Sequence, residues 1–410
     1  MRILFVVPYA PTPIRTRPYN LVRGLARGGH AVTLATLYEN WGEHAALCEL
    51  QREGITLIAL PLTRARVARN LLLAALPGGA PLQAAYAWQP ALAAQLQRTA
   101  ADAPFDVIHV EHLRGARYAL ALKGLTATVW DSVDCISHLF EHAGARSRSL
   151  SARAMTLFEL PRTRRFEGWL AQQFARVLVT SDADKQALDA LSSLISPISL
   201  ISPISVLPNG VDLERFRLPS QPRECDTLVF SGKMSYHANL SAALHFAREV
   251  LPLVWRERPQ TRLRIVGQNP PRSVRALSHD PRITVTGYVH GLPDYVARAS
   301  VALCPLLYGA GIQNKVLEAM ACGTPVVSYT SALGAIGAQP ERDVLAAESP
   351  ATFAQQVLRL LADPALAARI GAAGRTYVES YHRWSDVVVH LENIYREARS
   401  TWQCHLQTPR

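Results

Sequence analysis

The residues with the most chemical potential lie in one stretch, residues 308–328, directly after a short apolar segment. Gly309 and Gly311 would let the backbone come close to a ligand. A helix predicted over residues 313–321 would present the unpaired amides of its first turn to a phosphate. Glu318, about two turns in, has two oxygens that can accept hydrogen bonds from the vicinal hydroxyls of a ribose. The alternative is a plain strand, loop and helix in which Glu318 pairs on the surface with the lysine three residues before it.

Length and composition indicate a two-domain cytosolic protein. The chain has 410 residues, 49% of them hydrophobic and only 18% charged, which suits two domains of about 200 residues and argues against disorder. The six cysteines form no CxxC pair, so we predict reduced thiols and neither a disulfide framework nor a zinc site. No DxD-like metal cluster stands out at a predicted strand end, and we predict a site without a metal ion.

The N-terminus and the net charge bear on location and partners. Residues 2–10 resemble a short signal peptide, but a helix and a second strand follow at βαβ spacing, so a buried first strand is the better interpretation. No apolar stretch approaches the roughly 20 residues that a membrane-spanning helix needs. The net charge of 43 − 32 = +11 favours anionic partners, either phosphate groups or an acidic membrane face. Nucleic acid is not predicted as a partner, because the basic residues do not interleave with aromatic ones in a binding pattern.

Alternating apolar strands and amphipathic helices predict two parallel-sheet α/β halves. In the first half we predict strands over residues 2–7, 31–36, 55–60, 107–110, 126–130 and 177–180, a helix over 17–27 that Gly28-Gly29 ends, and Ser181 as a helix N-cap. In the second half we predict strands over residues 227–231, 263–266, 283–285, 301–304 and 326–328 and helices over 239–250, 292–299 and 313–321. The chain after Pro350 is predicted to be helical and to end in a helix over residues 384–399.

A short duplication precedes the predicted domain boundary. The six residues from Leu194 to Ser199 are repeated from Leu200 to Ser205, and so short a unit does not make a repeat fold. We interpret it as lengthening a surface connection. The tight turn Pro208-Asn209-Gly210 follows, and it places the N-terminal domain over residues 1–207 and the C-terminal domain over residues 208–383.

Over nearly its whole length the chain resembles the family 4 glycosyltransferases, also called group 1. The resemblance is carried by residues 308–328, by the junction over residues 206–212 (VLPNGVD), by residues 230–234 (FSGKM) and by residues 287–289 (GYV). The family implies the GT-B fold, in which two Rossmann-like, doubly wound domains face each other across a cleft. It also implies that a C-terminal helix, residues 384–400, crosses back to pack on the first domain. The implied enzyme is a retaining hexosyltransferase whose co-substrate is a UDP- or GDP-linked sugar, with no further cofactor.

The resemblance assigns donor binding to the C-terminal domain. It implies that Lys233 contacts the donor diphosphate, that the backbone at Val289 reads the nucleotide base, and that Glu318 binds the ribose. The residues assigned to phosphate binding at the helix start are Gly309, Gly311, Ile312, Asn314 and Lys315. Lys233 and Glu318 are also assigned to catalysis, since a lysine and a helix dipole can stabilise the leaving group in place of a metal ion. An ordinary solvated lysine is the alternative for Lys233.

The sequence departs from the family pattern at two donor positions. Many members carry a glutamate eight residues before the one that binds ribose, but here that position is Ala310, so the contacts to the donor sugar must differ. The second basic residue of the diphosphate clamp is also missing, because residues 237–239 (HAN) occupy that region. We predict that Lys315 or Asn314 substitutes for it.

The first domain is predicted to hold a saccharide or lipid-linked acceptor. Arg15 and Arg17 stand where the family has a glycine pair, and they either meet an acceptor phosphate or are ordinary loop surface. Asp131, with Asp134 close behind, follows a predicted strand where many relatives have a histidine. A carboxylate there would assist the acceptor hydroxyl or bind sugar hydroxyls, and the alternative is an Asx turn or a helix cap. Three weaker candidates follow another predicted strand: His109, Glu111 and His112.

Two segments mix arginines with apolar residues and bear on membrane contact. Residues 62–97 contain Arg64, Arg66 and Arg69 beside three leucines, and residues 146–165 contain Arg146, Arg148, Arg153, Arg162, Arg164 and Arg165. Such stretches can lie on an anionic membrane surface, although they are more often helices packed against a sheet. They add peripheral contact with the inner face of a membrane to the predicted cytoplasmic location.

The predicted function is glycosyl transfer in the assembly of a cell-surface polysaccharide or glycolipid. Two alternatives stay open. One is a nucleotide-sugar epimerase of the same fold, which needs no acceptor. The other is a catalytically degenerate scaffold that binds sugar nucleotides, suggested by Ala310 and by the missing basic residue. A dehydrogenase is disfavoured, because no GxGxxG follows the first predicted strand.

Overall fold

The computed structural model describes residues 1–76, 78–146, 150–195, 204–308 and 311–407 of the chain. Backbone contacts divide it into two compact units. Unit 1 comprises Met1–Pro208 and Trp384–Arg410, and unit 2 comprises Asn209–Arg383. Each unit has its own parallel sheet with helices around it, so the predicted two-domain α/β fold is confirmed.

Unit 1 is built on a parallel sheet of seven strands. The strands are β1 (Arg2–Val7), β2 (Ala31–Tyr38), β3 (Thr56–Pro61), β4 (Val107–Glu111), β5 (Thr128–Val133), β6 (Arg176–Val179) and β7 (Ile204–Val206). The helices are α1 (Thr16–Arg27), α2 (Trp41–Arg52), α3 (Arg64–Ala74), α4 (Leu82–Tyr86), α5 (Pro90–Asp102), α6 (Ala116–Leu122), α7 (Ile136–Arg146), α8 (Leu150–Ala171) and α9 (Asp182–Ile195). The spatial order is β3-β2-β1-β4-β5-β6-β7, which brings the carboxyl ends of β1, β4 and β5 together.

Unit 2 contains a second parallel sheet, of six strands. The strands are β8 (Glu224–Ser231), β9 (Arg262–Val266), β10 (Ile283–Val285), β11 (Ala299–Cys304), β12 (Val326–Tyr329) and β13 (Leu345–Ala347), in the order β10-β9-β8-β11-β12-β13. The helices are α10 (His237–His245), α11 (Leu251–Glu257), α12 (Arg272–Arg275), α13 (Leu292–Ala297), α14 (Asn314–Ala321), α15 (Pro350–Ala362) and α16 (Pro364–Tyr381). A π-helical turn, Phe246–Val250, joins α10 to α11. Pro252 in the first turn of α11 lacks the amide that would continue a regular helix.

The last helix, α17 (Trp384–Gln407), returns to unit 1. It packs against α1 at Gly24, where a side chain would collide with Val388. The helix α1 buries Leu21, Val22 and Leu25, the face that the sequence predicted, in one core cluster with Val387 and Val388 of α17. The predicted C-terminal helix that packs on the first domain is therefore confirmed, and a glycine provides its close approach.

Buried strands dominate both cores. In β1 every residue from Ile3 to Val7 is fully buried, as expected of a parallel strand covered on both faces. Ser181 caps α9 as predicted, its hydroxyl accepting from the Asp184 amide at 3.2 Å. Most of the duplicated hexapeptide, residues 196–203, lies outside the described residues.

No helix among the described residues is both long enough and apolar enough to cross a membrane.

Candidate functional site

Residues 311–329 form a loop, helix α14 and strand β12. Gly311 has a φ of 70°, a left-handed conformation that favours glycine. The helix begins only at Asn314, because the chain must complete that turn first. Glu318 therefore lies about one turn into the helix, and the expectation of two turns is wrong. Gly309 and Ala310 lie outside the described residues.

The two ends of α14 differ in how their backbone groups are satisfied. At the start of α14 the Val316 amide donates to the Gln313 carbonyl at 2.8 Å, and the Gln313 side chain does not cap the helix. At the other end Arg223 Nη2 donates to the Cys322 carbonyl at 3.0 Å, and Arg375 donates to the Ala321 carbonyl. The positive N-terminal end of the helix dipole is thus the end suited to an anion.

Lys315 reaches the loop that carries Lys233. Its Nζ donates to Asn239 Oδ1 at 2.6 Å and lies 5.0 Å from the centroid of the Phe230 ring. Asn239 Nδ2 donates in turn to the Lys233 carbonyl at 3.0 Å. Burial lowers the pKa of Lys315, whereas the Lys233 side chain is exposed. The surface pair with Glu318 is not formed, since the amine reaches Asn239 instead.

Glu318 is a half-buried carboxylate without a partner in the described part of the chain. Burial raises its pKa to about 7, and Arg215 and Lys315 oppose that rise by smaller amounts. The Glu318 oxygens are not among the fully buried unsatisfied atoms, so water or a ligand can supply their hydrogen-bond donors. The carboxylate is therefore able to accept hydrogen bonds from a ligand.

The Pro-Asn-Gly junction contacts the start of α14. Asn209 Nδ2 donates to Asn314 Oδ1 at 3.2 Å. His382 Nδ1 donates to the Asn209 carbonyl at 2.7 Å, and the Val211 amide donates to the His382 carbonyl at 2.7 Å. Two motifs about a hundred residues apart in sequence are therefore joined in unit 2, with the junction positioning the first residue of the helix.

Two residues of this region, His237 and Tyr308, were given no role from the sequence. His237, the first residue of α10, stacks on Tyr308 with ring centroids 5.5 Å apart, and its Nδ1 lies 3.0 Å from the tyrosine hydroxyl. Burial lowers the pKa of His237, so it is a neutral hydrogen-bonding group where the family has a cation. No local pattern pairs His237 with Tyr308, because 71 residues separate them.

Val289 is half-buried in the loop after β10, two residues beyond Gly287, whose φ is 72°.

In unit 1, Asp131 and Arg17 form a buried ion pair. The strand β5 runs to Val133, three residues beyond its predicted end, so Asp131 lies inside the strand and beside Glu111 of β4. Arg17 Nε and Nη2 donate to Asp131 Oδ2 at 2.9 and 2.7 Å, with exposures of 4% for Arg17 and 0% for Asp131. Arg17 Nη1 also donates to the Leu207 carbonyl at 2.9 Å. The loop-surface alternative for Arg17 is wrong, because the first turn of α1 directs this side chain inward.

The other two residues assigned to the acceptor have different surroundings. Arg15 keeps 33% of its side chain exposed, pairs with Glu43 at 3.3 Å and lies 4.9 Å from the centroid of the Tyr9 ring. Asp134 accepts from the Thr180 hydroxyl at 3.2 Å, and burial raises its pKa to about 7. Arg15 is thus partly exposed, with its Nη1 paired with Glu43 and donating to the Ala10 carbonyl at 3.0 Å, whereas Arg17 is buried and engaged with Asp131.

A buried polar cluster at the edge of the unit 1 sheet includes residues that the sequence ranked low. Glu111 accepts from the Tyr9 hydroxyl at 2.6 Å, and burial raises its pKa to about 8, with the charge of Asp131 adding to the effect. His109 stacks on Phe5 with ring centroids 4.1 Å apart, and burial holds its pKa well below the ordinary value. The cluster therefore combines a neutral acid and a neutral imidazole with the ion pair of Asp131.

Among the described residues, the same cluster also brings potential metal-ligating atoms together. Those of His109, Glu111 and Asp131 lie within 4.8 Å of one another. A cation there would meet the guanidinium of Arg17, 2.7 Å from Asp131, which already balances that charge. The donor set fits a retained proton better than a divalent ion. The sequence signal was the pair of polar residues at alternate positions of an otherwise apolar strand, which places both on one face.

Glu111→Gln should become more stable relative to wild type as the pH rises. The pKa of Glu111 is raised from 4.5 to about 8 in the folded protein, so its favourable contribution is fully present only below pH 4.5 and is lost as the pH rises to about 8. The difference in the free energy of unfolding should change by up to about 1.4 kcal/mol per pH unit over that window. Urea unfolding at several pH values measures it, with the exposed Glu49→Gln as a control. A difference that stays constant with pH would contradict the buried-acid assignment.

Two family models cover most of the chain. The one described as "Glycosyl transferase 4-like domain" matches residues 14–210, and the one described as "Glycosyl transferases group 1" matches residues 225–363. The chain therefore belongs to the family 4, or group 1, glycosyltransferases, as the resemblance predicted.

Two curated relatives illustrate the proteins to which this chain is similar. D-inositol 3-phosphate glycosyltransferase of Streptomyces bingchenggensis is 27% identical over 231 residues, which are 48% of this chain and 48% of that protein. The GDP-mannose-dependent alpha-(1-6)-phosphatidylinositol monomannoside mannosyltransferase of Mycobacterium tuberculosis is 30% identical over 214 residues, 47% of this chain and 56% of that protein. The chain thus spans about half the length of the curated relatives it matches.

Solved structures show the fold over the whole chain. The sucrose-phosphate synthase of Thermosynechococcus elongatus has a TM-score of 0.71 at 17% identity, over 98% of this chain and 100% of that one. HepE of Anabaena, solved in complex with UDP-glucose, has a TM-score of 0.68 at 14% identity, over 96% and 99%. The fold is that of the GT-B glycosyltransferases.

Proposed function

We propose that this protein transfers a sugar from a nucleotide-diphosphate donor to a hydroxyl acceptor, with retention of configuration. The observation that carries the proposal is the unpartnered Glu318 carboxylate in α14, near Lys315, at a helix start suited to an anion. Such an arrangement provides an acceptor for ribose hydroxyls and positive charge for a diphosphate. One relative is named for its use of GDP-mannose, and HepE was solved with UDP-glucose, which supports a nucleotide-sugar donor.

The donor roles follow from the surroundings of each residue. We assign the exposed Lys233 and the backbone from Gly311 through Asn314 to the diphosphate, and the loop at Val289 to the base. Lys315 takes the place of the missing basic residue of the clamp, since Asn239 connects it to the Lys233 loop. With lysine charge and the helix dipole at the leaving group, the proposed reaction needs no metal ion.

The acceptor roles are assigned to the edge of the unit 1 sheet. Arg15 is the cation for an acceptor phosphate, and Asp134 is a candidate for sugar hydroxyls. Asp131 has both oxygens engaged, one by Arg17 and one by the Val133 amide at 3.0 Å. We therefore assign it a positioning role at this edge in place of proton transfer.

The setting we propose is the assembly of a cell-surface polysaccharide or glycolipid by a cytoplasmic enzyme. None of the six cysteines, all of which lie in the described part of the chain, forms a disulfide, which suits a reducing compartment. A relative named for a phosphatidylinositol monomannoside acceptor supports a lipid-linked acceptor.

Donor affinity should fall as the pH drops below neutral. Both oxygens of Glu318 accept hydrogen bonds only in the carboxylate form, and its pKa is about 7. Between pH 8 and pH 6 the affinity for a nucleotide sugar should decrease about tenfold. Calorimetric titration with a nucleotide sugar measures this, because its diphosphate diester keeps its charge throughout the range. Glu318→Gln should bind weakly at both pH values, and an equal pH dependence in that variant would contradict the assignment.

Reversing the charge at Lys315 should weaken donor binding strongly. Lys315→Glu places an anion beside the diphosphate and should reduce affinity by about 30-fold or more, whereas Lys315→Met keeps the packing on Phe230 and should cost about tenfold. Lys185→Glu, on the partly exposed surface of α9, is the control. Wild-type affinity in Lys315→Glu would remove this lysine from the clamp.

The proposed function is tested by a panel of UDP- and GDP-linked sugars, scored first by thermal stabilisation and then by donor turnover. A transferase is stabilised by one donor and turns it over when an acceptor extract is added. An epimerase converts the donor to another nucleotide sugar without any acceptor. A scaffold is stabilised by the donor but never consumes it. The last two outcomes would each replace the proposal.

A further inference from the structure

The strand order of unit 1 changes direction between β1 and β4. The strand that follows β1 in the chain lies on one side of this pair, and the strand that follows β4 lies on the other. Ligands of open α/β sheets bind at such a point, beyond the carboxyl ends of the two strands. Tyr9 follows β1, and the turn Leu113–Gly115 follows β4. The residues of these two connections are therefore candidates for ligand contacts.

The turn after β4 begins with a strained residue. His112 has a φ of 67°, a left-handed conformation that residues other than glycine seldom adopt. Its amide donates to the Asp131 carbonyl at 2.6 Å, and its Nδ1 accepts from the Arg114 amide at 3.1 Å. Leu113 is buried in the core, whereas Arg114 is only half-buried. Backbone strain of this kind is concentrated at binding sites, and here it presents Arg114 at the edge of the sheet.

The guanidinium of Arg114 has no carboxylate partner among the described residues. It lies 4.6 Å from the centroid of the Tyr86 ring, and its Nε donates to Gln83 Oε1 at 3.0 Å. No described group accepts a hydrogen bond from either Nη atom. Arg15 differs, because it pairs with Glu43 at 3.3 Å. A half-buried guanidinium with available donors is suited to an anionic ligand.

Arg15 and Arg114 lie near the same two tyrosines. Arg15 is 4.9 Å from the centroid of the Tyr9 ring. Burial raises the pKa of Tyr9, and the charges of both arginines oppose that rise. Burial also raises the pKa of Tyr86, again against the charges of both arginines. Glu39 accepts from the Tyr86 hydroxyl at 3.4 Å. The edge thus combines two guanidiniums, two aromatic rings and a carboxylate that can accept from ligand hydroxyls.

We propose that Arg114, with Arg15 beside it, binds a phosphate group of the acceptor, and that the acceptor is a saccharide or polyol that carries this phosphate. A phosphate is favoured over a carboxylate because it has enough oxygens to accept from two guanidiniums at once. Arg114 was not assigned from the sequence, since the turn that presents it depends on pairing with β5. The inference rests on the proposed transfer reaction and names the chemical class of its acceptor.

Binding of phenyl phosphate to the full chain, without nucleotide sugar, tests this subsite. The probe joins a ring to a phosphate, and phosphorus NMR follows its binding. We expect a Kd of about a millimolar for wild type, about tenfold weaker binding by Arg114→Gln, and about threefold weaker binding by Arg114→Lys, which keeps the charge without the planar fork. Circular dichroism and Tm confirm that both variants are folded.

Two variants are controls that should bind phenyl phosphate as wild type does. Arg2→Gln changes another arginine that lies over a ring, 5.6 Å from the centroid of Phe105, but at the opposite, amino end of β1. Lys315→Glu changes the proposed donor site of unit 2. Its unchanged binding would show that the probe does not occupy the donor site.

Three further probes identify the chemistry of the ligand. Phenol and benzoate, which lack the phosphate, should each bind about tenfold more weakly than phenyl phosphate. Methyl phenyl phosphate is a diester. Tighter binding of the monoester would identify an acceptor with a terminal phosphate, and tighter binding of the diester would identify one linked through a phosphodiester. Both results support the proposal.

Three results would overturn the proposal. Phenyl phosphate could bind no better than phenol or benzoate, or a folded Arg114→Gln could bind it as wild type does. The third is found by sugar transfer to a lipid and saccharide extract, in which Arg114→Gln should raise the acceptor KM about tenfold with donor affinity unchanged. An unchanged acceptor KM would remove Arg114 from the acceptor site. A wild type that binds phenyl phosphate through Arg114 but transfers no sugar would contradict the proposed function instead.

Discussion

Glu318→Ala should bind its nucleotide-sugar donor about a hundredfold more weakly than wild type. The variant loses two hydrogen bonds from ribose hydroxyls to a charged acceptor, each worth about 1.5 kcal/mol or more, and 2.7 kcal/mol is about a hundredfold in affinity. Calorimetric titration measures the change. The exposed Glu257→Ala is the matched control in the same unit. Stability should not suffer above neutral pH, because burial already disfavours the charged form of Glu318.

The size of this effect distinguishes a carboxylate that binds ribose from one with only a structural role. Glu318→Gln should retain part of the affinity, since an amide oxygen still accepts one hydrogen bond. Donor affinity within threefold of wild type in Glu318→Ala would place the ribose elsewhere and remove the main support for the donor site.

Asp131→Ala should lower the free energy of unfolding by about 3–5 kcal/mol, because it leaves a buried charge without its partner. Arg17 is only 4% exposed, and two of its nitrogens donate to the lost carboxylate. Urea unfolding measures the loss. The control is Glu53→Ala, which breaks the more exposed pair with Arg23 and should cost about 1 kcal/mol or less.

A double variant that removes both partners distinguishes the cost of an unpaired charge from the other effects of changing Asp131. Arg17→Met combined with Asp131→Leu should be more stable than Asp131→Ala alone, because no uncompensated charge remains. A loss below about 1 kcal/mol in Asp131→Ala would show that Arg17 finds another partner. Asp131 would then return to the candidates for proton transfer.

The order of strands and helices could be predicted because it depends on residues close together in sequence. Apolar strands such as β1 and the Leu21, Val22 and Leu25 face of α1 follow from short-range patterns. The three-residue edge strands β7 and β13 were missed, whereas β10, another edge strand of the same length, was predicted over the residues it occupies. The end of β5 was also misplaced, because its last residues are polar and are held in the strand by pairing with neighbours.

The site could be predicted only as far as its motifs are contiguous. Residues 308–328 gave Glu318 and the helix start, but the Lys315–Asn239 contact spans 76 residues and the Arg17–Asp131 pair spans 114. Burial, which raises the pKa of Glu111 to about 8, depends on the strands and helices around it and not on its sequence neighbours. The motifs therefore identify the candidate residues, whereas tertiary packing determines their charge states.

The most direct test of the donor site is the release of nucleoside diphosphate from the donor that stabilises the protein. Purified full chain is incubated with that donor, with and without a lipid and saccharide extract, and the released nucleotide is quantified beside the sugar gained by the extract. We expect release that needs the extract, equals the sugar transferred, and is nearly absent in Glu318→Ala. A donor that binds but is never consumed, or that is consumed equally by Glu318→Ala, would contradict it.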